Sequence, residues 1–233
     1  MKVSGTLCFA LFMAIAIVAN AAEPRGVDMG ACHYTPDALQ SWKDLWTRQL
    51  GVLDPQHAAQ LSKVASEIID GRTDAVKAEI AGGLSPNATL KGAGGDMSLL
   101  ALAVAACQDK VARELVLSGA SADGDAASVP LVLAVAKGQG DLAEFLIQHG
   151  ATVDKVDVNG HTPLEEAVRQ HQLPAVQVLL KHGSNPNRVL SRNATVLDFV
   201  AKSSDPDDQA IAKELRAHGA ASGLAVEKPG LPR

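Results

Sequence analysis

Glycine recurs in this chain at intervals that few folds accommodate. Gly83, Gly119, Gly150, Gly183 and Gly219 each follow an apolar stretch with helical spacing, and they stand 36, 31, 33 and 36 residues apart. A period of this length marks a stack of small supersecondary units rather than one closed domain. Four of the five segments read alike: Ser98-Leu99-Leu100-Ala101-Leu102-Ala103 to Ser118-Gly119-Ala120, Val129-Pro130-Leu131-Val132-Leu133-Ala134 to His149-Gly150-Ala151, Thr162-Pro163-Leu164-Glu165-Glu166-Ala167 to His182-Gly183-Ser184, and Thr195-Val196-Leu197-Asp198-Phe199-Val200 to His218-Gly219-Ala220. Each predicts a short helix, a turn, a second helix and a glycine stop.

The unit from Thr162 to Asn187 shows the physics. Thr162 is an N-cap, and Pro163 takes the first helical position, where its missing N–H costs nothing. Leu164, Ala167 and Val168 form a narrow apolar stripe on a helix of about two turns. After His171 and Gln172 the chain turns, Pro174 starts a second helix carrying Val176, Leu179 and Leu180, and Gly183 supplies the left-handed cap. One such hairpin cannot bury both faces, so stacking on its neighbours completes the core. Composition agrees: 47% of the 233 residues are hydrophobic but only 3% aromatic, which suits thin helices packed closely through Ala, Leu and Val.

This pattern resembles the ankyrin repeat, whose hallmark is a Thr-Pro-Leu-His-x-Ala helix start and a 33-residue period. Thr162-Pro163-Leu164 with Ala167, preceded by Asn159-Gly160, carries the strongest match, and Val129-Pro130-Leu131 with Ala134 the next. The segment from Ser62 to Gly83 matches mainly through its second helix, Asp74 to Ala81, and is expected to be a capping repeat. The resemblance implies an all-α solenoid of about five helix-turn-helix repeats over residues 61–222. Where the family has His after Thr-Pro-Leu, this chain has Ala101, Val132, Glu165 and Asp198, so the bonds that His gives between repeats are absent or replaced. The last repeat holds three extra residues within Ser203 to Asp208, and Asp205-Pro206 reads as a new N-cap and first helical residue, which predicts a displaced final hairpin.

Residues 23–60 are expected to form a helical cap. Thr35-Pro36-Asp37 opens a helix running to Leu50 and stopped by Gly51, with Leu39, Trp42, Trp46 and Leu50 on one face, and Asp54-Pro55 opens the next. The two Trp read as a lid over the open end of the stack rather than a stacking platform for a ligand. The tail, residues 223–233, has no periodicity.

Residues 1–22 read as a secretory signal peptide: Lys2, an uncharged stretch, then Ala19-Asn20-Ala21-Ala22 before Glu23. The alternative is an uncleaved anchor, since Val3 to Ala22 carries no charge. Cleavage leaves 20 basic and 26 acidic residues without stable membrane insertion, and the expected location is a bacterial periplasm. In such an oxidising compartment Cys32 and Cys107 would be joined, with two buried thiols as the alternative. The acidic balance and the lack of a Lys/Arg run argue against nucleic acid as a partner.

Chemistry is thinly represented, and no cofactor is expected. His149, His182 and His218 precede the repeat glycines, where a His suits the negative end of a helix, and repeats would hold them too far apart for one zinc. His161, Glu165, Glu166 and His171 fit no metal-ligand spacing, although a small metal-dependent hydrolase is the competing reading. Lys91-Gly92-Ala93-Gly94-Gly95-Asp96 lacks the Lys-Ser/Thr of a phosphate loop and reads as a hairpin tip.

Resemblance to ankyrin proteins implies that a folded protein docks on hairpin tips and the exposed side of the first helices. The corresponding residues are Asp125, Ser128 and Lys137; Val158, Asn159, His161, Arg169 and Gln170; Ser191, Arg192, Lys202 and Ser203. Lys137, Arg169 and Lys202 recur at nearly one helical position and suggest a basic column for an acidic strip on the partner. The expectation is a non-enzymatic binding protein, monomeric when free. Bacterial proteins of similar architecture include immunity partners that neutralise toxic secreted enzymes such as phospholipases, the specific expectation here, and factors that support peroxide defence, the alternative.

Overall fold

A computed structural model describes residue 32 and residues 34–53, 57–91, 96–124, 128–190 and 193–223. The expected signal peptide, the Asp54-Pro55 start, Gly92 to Gly95, Asp125, Ser191, Arg192 and the tail from residue 224 lie outside the described residues. Among the described residues α1 (Pro36–Leu53) precedes helices that follow one another in pairs: α2 (Ala58–Ile69) and α3 (Thr73–Ala81), α4 (Leu99–Ala105) and α5 (Asp109–Leu117), α6 (Pro130–Ala136) and α7 (Gly140–Gln148), α8 (Pro163–Arg169) and α9 (Leu173–Lys181), α10 (Val196–Val200) and α11 (Pro206–Ala217). Between α3 and α4, β1 (Thr89–Leu90) and β2 (Met97–Ser98) pair antiparallel, with Thr89 opposite Ser98, so Lys91 and Asp96 flank a hairpin tip and their side chains meet as an ion pair. First helices stack on first helices and second on second, from α2 through α10 and from α3 through α11.

The glycines act as the period requires. Gly83, Gly119, Gly150, Gly183 and Gly219 have φ of 105, 97, 95, 87 and 80°, and the amide after each glycine reaches the carbonyl four residues before it at 2.9–3.0 Å. That is the closure of a helix by a left-handed residue. In the last four repeats the carbonyl belongs to Leu115, Leu146, Leu179 or Leu215, each fully buried. In the first repeat the same position is Glu79, paired with Lys63 of the neighbouring helix, a polar exchange suited to the end of a stack. The turn between paired helices repeats this geometry at Gly71, Cys107, Gly138 and His171, with φ of 70, 58, 68 and 54°.

Two hydrogen-bond ladders join the repeats. Four residues after each of the first four repeat glycines, an Asn or Asp reaches forward along the stack. Asn87 accepts from the Ser121 amide at 2.7 Å and donates to Gly119 O at 3.0 Å, Asp123 accepts from the Thr152 amide at 2.6 Å and its hydroxyl at 2.9 Å, Asp154 accepts from the Ser184 hydroxyl at 2.5 Å and the Asn185 amide at 2.9 Å, and Asn187 accepts from the Ala221 amide at 2.8 Å and donates to Gly219 O at 2.9 Å. At the opposite edge, Gln108 donates to Ile69 O at 2.9 Å and Gln139 to Val104 O at 3.3 Å, each reaching back one repeat. The stack is therefore regular without the missing His. At that position Ala101 and Val132 are buried, Glu165 pairs with Arg188 of the following hairpin, and Asp198 closes a capping box with Thr195.

Two expectations are corrected. α1 runs through Gly51 to Leu53; a lone interior glycine costs a helix only about 1 kcal/mol and does not by itself end it. The final hairpin is not displaced: α10 packs on α8 and α11 on α9. Its extra residues lengthen α11 to 12 residues against nine in α9, with Asp205 Oδ1 accepting from the Asp207 amide at 2.8 Å. Trp42 and Trp46 are 6% and 7% exposed, so they close the N-terminal end of the core and offer no open stacking platform.

Candidate protein-binding face

Local chemistry sets the shape of each hairpin tip. Before α8 the Asp157 carboxylate accepts from the amides of Asn159 at 2.9 Å and His161 at 2.8 Å, and Gly160 turns the chain at φ 79°. Thr162 Oγ1 then accepts from the Glu165 amide at 3.2 Å and starts the helix. An acidic side chain bonded to amides two and four residues ahead is a turn device in its own right. Val158 and Asn159 are thereby held outward on a fixed tip, where both are exposed.

The expected contact residues divide. Val158, Asn159, Arg169, Gln170 and Lys202 are exposed, and Lys137, His161 and Ser203 are half-buried. Ser128 is a correction: at 7% exposure it lies inside the turn before α6, close to Gly124, and offers no docking surface. Val156 and Val189, each 41% exposed and 33 residues apart in adjacent hairpins, and Phe199, 53% exposed on α10, are apolar surface that the family pattern did not single out. Their shared offset from Gly150 and Gly183 was the available signal for the two valines.

The basic column is staggered and partly engaged. Lys137 is the C-cap of α6, Arg169 the last residue of α8, and Lys202 follows the C-cap of α10. Arg169 lies 3.5 Å from the buried Glu166 and 3.4 Å from His161 Nδ1, and the Lys137 ammonium sits 5.4 Å from the centre of the Tyr34 ring. Lys202 projects from the surface.

The histidines have separate tasks. His149 Nδ1 donates to Phe145 O at 2.8 Å and His218 Nδ1 to Glu214 O at 3.2 Å, each a second bond to a last-turn carbonyl that already accepts the histidine's own amide. His182 lies 3.6 Å from Glu144, a carboxylate held below its ordinary pKa by its hydrogen bond to Lys181. His171 Nδ1 contacts Asp208 at 2.5 Å, and that carboxylate is likewise lowered, first by Ser203 and then by His171. His161, Glu165 and His171 thus turn to Arg169, Arg188 and Asp208. Among the described residues no three His, Cys, Asp or Glu side chains are grouped to hold a metal ion.

Paired helices, left-handed glycine closures and interlocked hairpins coincide with a family model for ankyrin repeats, which matches residues 100–189 in three copies. Residues 100–189 are ankyrin repeats. A putative ankyrin repeat-containing protein of Treponema pallidum is 34% identical to it over 122 residues, 51% of this chain and 40% of that protein. Palmitoyltransferase ZDHHC13 of Homo sapiens is 47% identical over 51 residues, 21% of this chain and 8% of the transferase, and the Pongo abelii protein of that name matches to the same extent. The chain thus spans less than half the length of the curated relatives it matches. Ankyrin stacks are protein-protein interaction modules, and no helix among the described residues is long and apolar enough to cross a membrane.

Proposed function

We propose that this ankyrin stack is an exported, periplasmic inhibitor that captures one folded protein, a toxic secreted enzyme such as a phospholipase, as immunity proteins do. The observation that carries the reading is the preordering of the face: Val156, Val158 and Val189 project from hairpins whose backbones are fixed by Asp157 and by the Asx ladder. A surface ordered before contact loses little conformational freedom on binding, which favours tight capture of a single partner. Exposed apolar side chains set among Asn159, Gln170 and Lys202 supply the apolar centre and polar rim of a protein interface.

The test is capture from a periplasmic extract by the mature chain, followed by assay of the captured protein with and without it. Val158→Asp combined with Val189→Asp is expected to lower capture at least tenfold with little change in stability, and the wild-type chain to suppress the partner's hydrolytic activity. Lys202→Glu tests the basic column with least disturbance, since reversal at Arg169 also breaks its contact with Glu166. A captured partner that keeps full activity in the complex would refute the inhibitor role.

A further inference from the structure

Cys32 and Cys107 are bonded, and their surroundings are equipped for both redox states. The bond lies at the edge of the stack, with Cys32 exposed. Cys107 occupies the left-handed turn position that is Gly71, Gly138 and His171 in other repeats, so the turn does not itself call for cysteine. The bond fastens the N-terminal segment across the turns of two repeats: Tyr34 Oη donates to Ala105 O at 2.7 Å, and Lys137 lies over the Tyr34 ring. Gln139 Nε2 donates to Cys32 Sγ at 3.2 Å, while Gln139 Oε1 is buried without a hydrogen-bond donor. A thiol S–H, absent from the disulfide, is a donor suited to that oxygen, and Lys137 O, 3.8 Å from Cys32 Sγ, is a second acceptor for it.

We propose that Cys32–Cys107 is a reversible thiol–disulfide exchange site whose partner is a dithiol protein of the Cys-x-x-Cys class, and that it latches the N-terminal segment over the second and third repeats. In the reducing direction a thiolate of the partner attacks the exposed Cys32 sulfur, the Cys32–Cys107 bond breaks, and the electron pair leaves on Cys107. The partner's second thiol then attacks its own sulfur in the mixed disulfide and releases Cys32. The partner ends oxidised, and Cys32 and Cys107 each take up a proton. The Gln108 rung and the Asx ladder, which do not involve the bond, keep the stack closed throughout.

The full mature chain is treated with reduced thioredoxin under native conditions, followed by alkylation and mass analysis, with amide hydrogen exchange read in parallel. The expected result is reduction without denaturant, at least tenfold faster exchange at Ala38 and Leu39, whose amides bond to Thr35 at the start of α1, and unchanged exchange in Leu99 to Val104. A thioredoxin lacking its second cysteine is expected to be trapped as a mixed disulfide on Cys32. Reduction only in denaturant, or core exchange that rises together with α1, would make the bond a structural staple and overturn the proposal. The Cys32→Ser, Cys107→Ser double variant supplies the reduced reference: its core exchange must match that of the reduced wild type.

Discussion

Replacing Asp154 by Ala removes one rung of the Asx ladder and leaves every apolar contact of the third and fourth repeats in place. The carboxylate accepts from the Ser184 hydroxyl at 2.5 Å and the Asn185 amide at 2.9 Å, and Ser184 is only 5% exposed. Bonds to an ionised acceptor contribute about 1.5–3 kcal/mol each, and Asn185 is exposed. Taking the lower end for both gives a loss of about 3 kcal/mol. The loss falls on the interface between two repeats, and in a one-dimensional stack weakening one interface uncouples the segments on its two sides. Trp42 and Trp46 both lie on α1, so Trp fluorescence reports the N-terminal side alone while far-ultraviolet circular dichroism reports every helix. In urea the two probes should coincide for the wild type and separate for Asp154→Ala, with the dichroism transition starting earlier. Asp157→Ala is the control, because Asp157 bonds only within its own hairpin tip; it should cost about 1 kcal/mol and keep the probes together. A destabilisation below about 1 kcal/mol with coincident transitions would refute the ladder as the link between repeats.

Gly183→Ala meets no atom within 4 Å of the added Cβ, so its cost is that of a left-handed alanine, about 1–2 kcal/mol, whereas at Gly124 the Cβ would lie 2.5 Å from both Pro130 Cδ and Ser128 O; Gly124→Ala should lower the thermal midpoint more than Gly183→Ala. Asp208 titrates below its ordinary value of 3.8 in the folded chain, so its contribution is present above that pH and vanishes as pH falls through the depressed folded value. Asp208→Asn should therefore destabilise at neutral pH, and the difference from wild type should close in acid, as read by urea midpoints across pH. Glu144→Gln should follow the same course, since Lys181 lowers that carboxylate too.

The sequence was informative where one residue type alone satisfies the backbone. A left-handed cap asks for glycine, so the five repeat glycines marked every second helix, and Thr162-Pro163 and Asp205-Pro206 marked helix starts because N-caps and first-position prolines are local chemistry. The Asx ladder went unread although Asn87, Asp123, Asp154 and Asn187 share one offset from the glycines, because a loop Asn or Asp equally signals a turn closed on itself, as Asp157 does. α1 continues past Gly51 because a lone glycine weakens a helix by only about 1 kcal/mol and ends it only where it takes the left-handed cap conformation. Ser128 is an expected contact only through its repeat position in the family pattern, yet the close approach of Gly124 to Pro130 encloses it. Which hairpin residues project outward depends on side-chain direction in segments with little strand, where alternation gives no guide; Val156 and Val189 were therefore missed, and Phe199 declares itself only through its exposure on α10.

The central claim, that the preordered hairpin face captures one folded protein, is tested most directly by site-specific photocrosslinking in living cells. A crosslinking residue is placed at Asn159, at Arg169, or at Leu117, which is 67% exposed on a second helix away from the hairpin tips. One discrete adduct of the same mass from Asn159 and Arg169, with none from Leu117, is the predicted result. Equal labelling from all three positions, or an adduct from Leu117 alone, would contradict it.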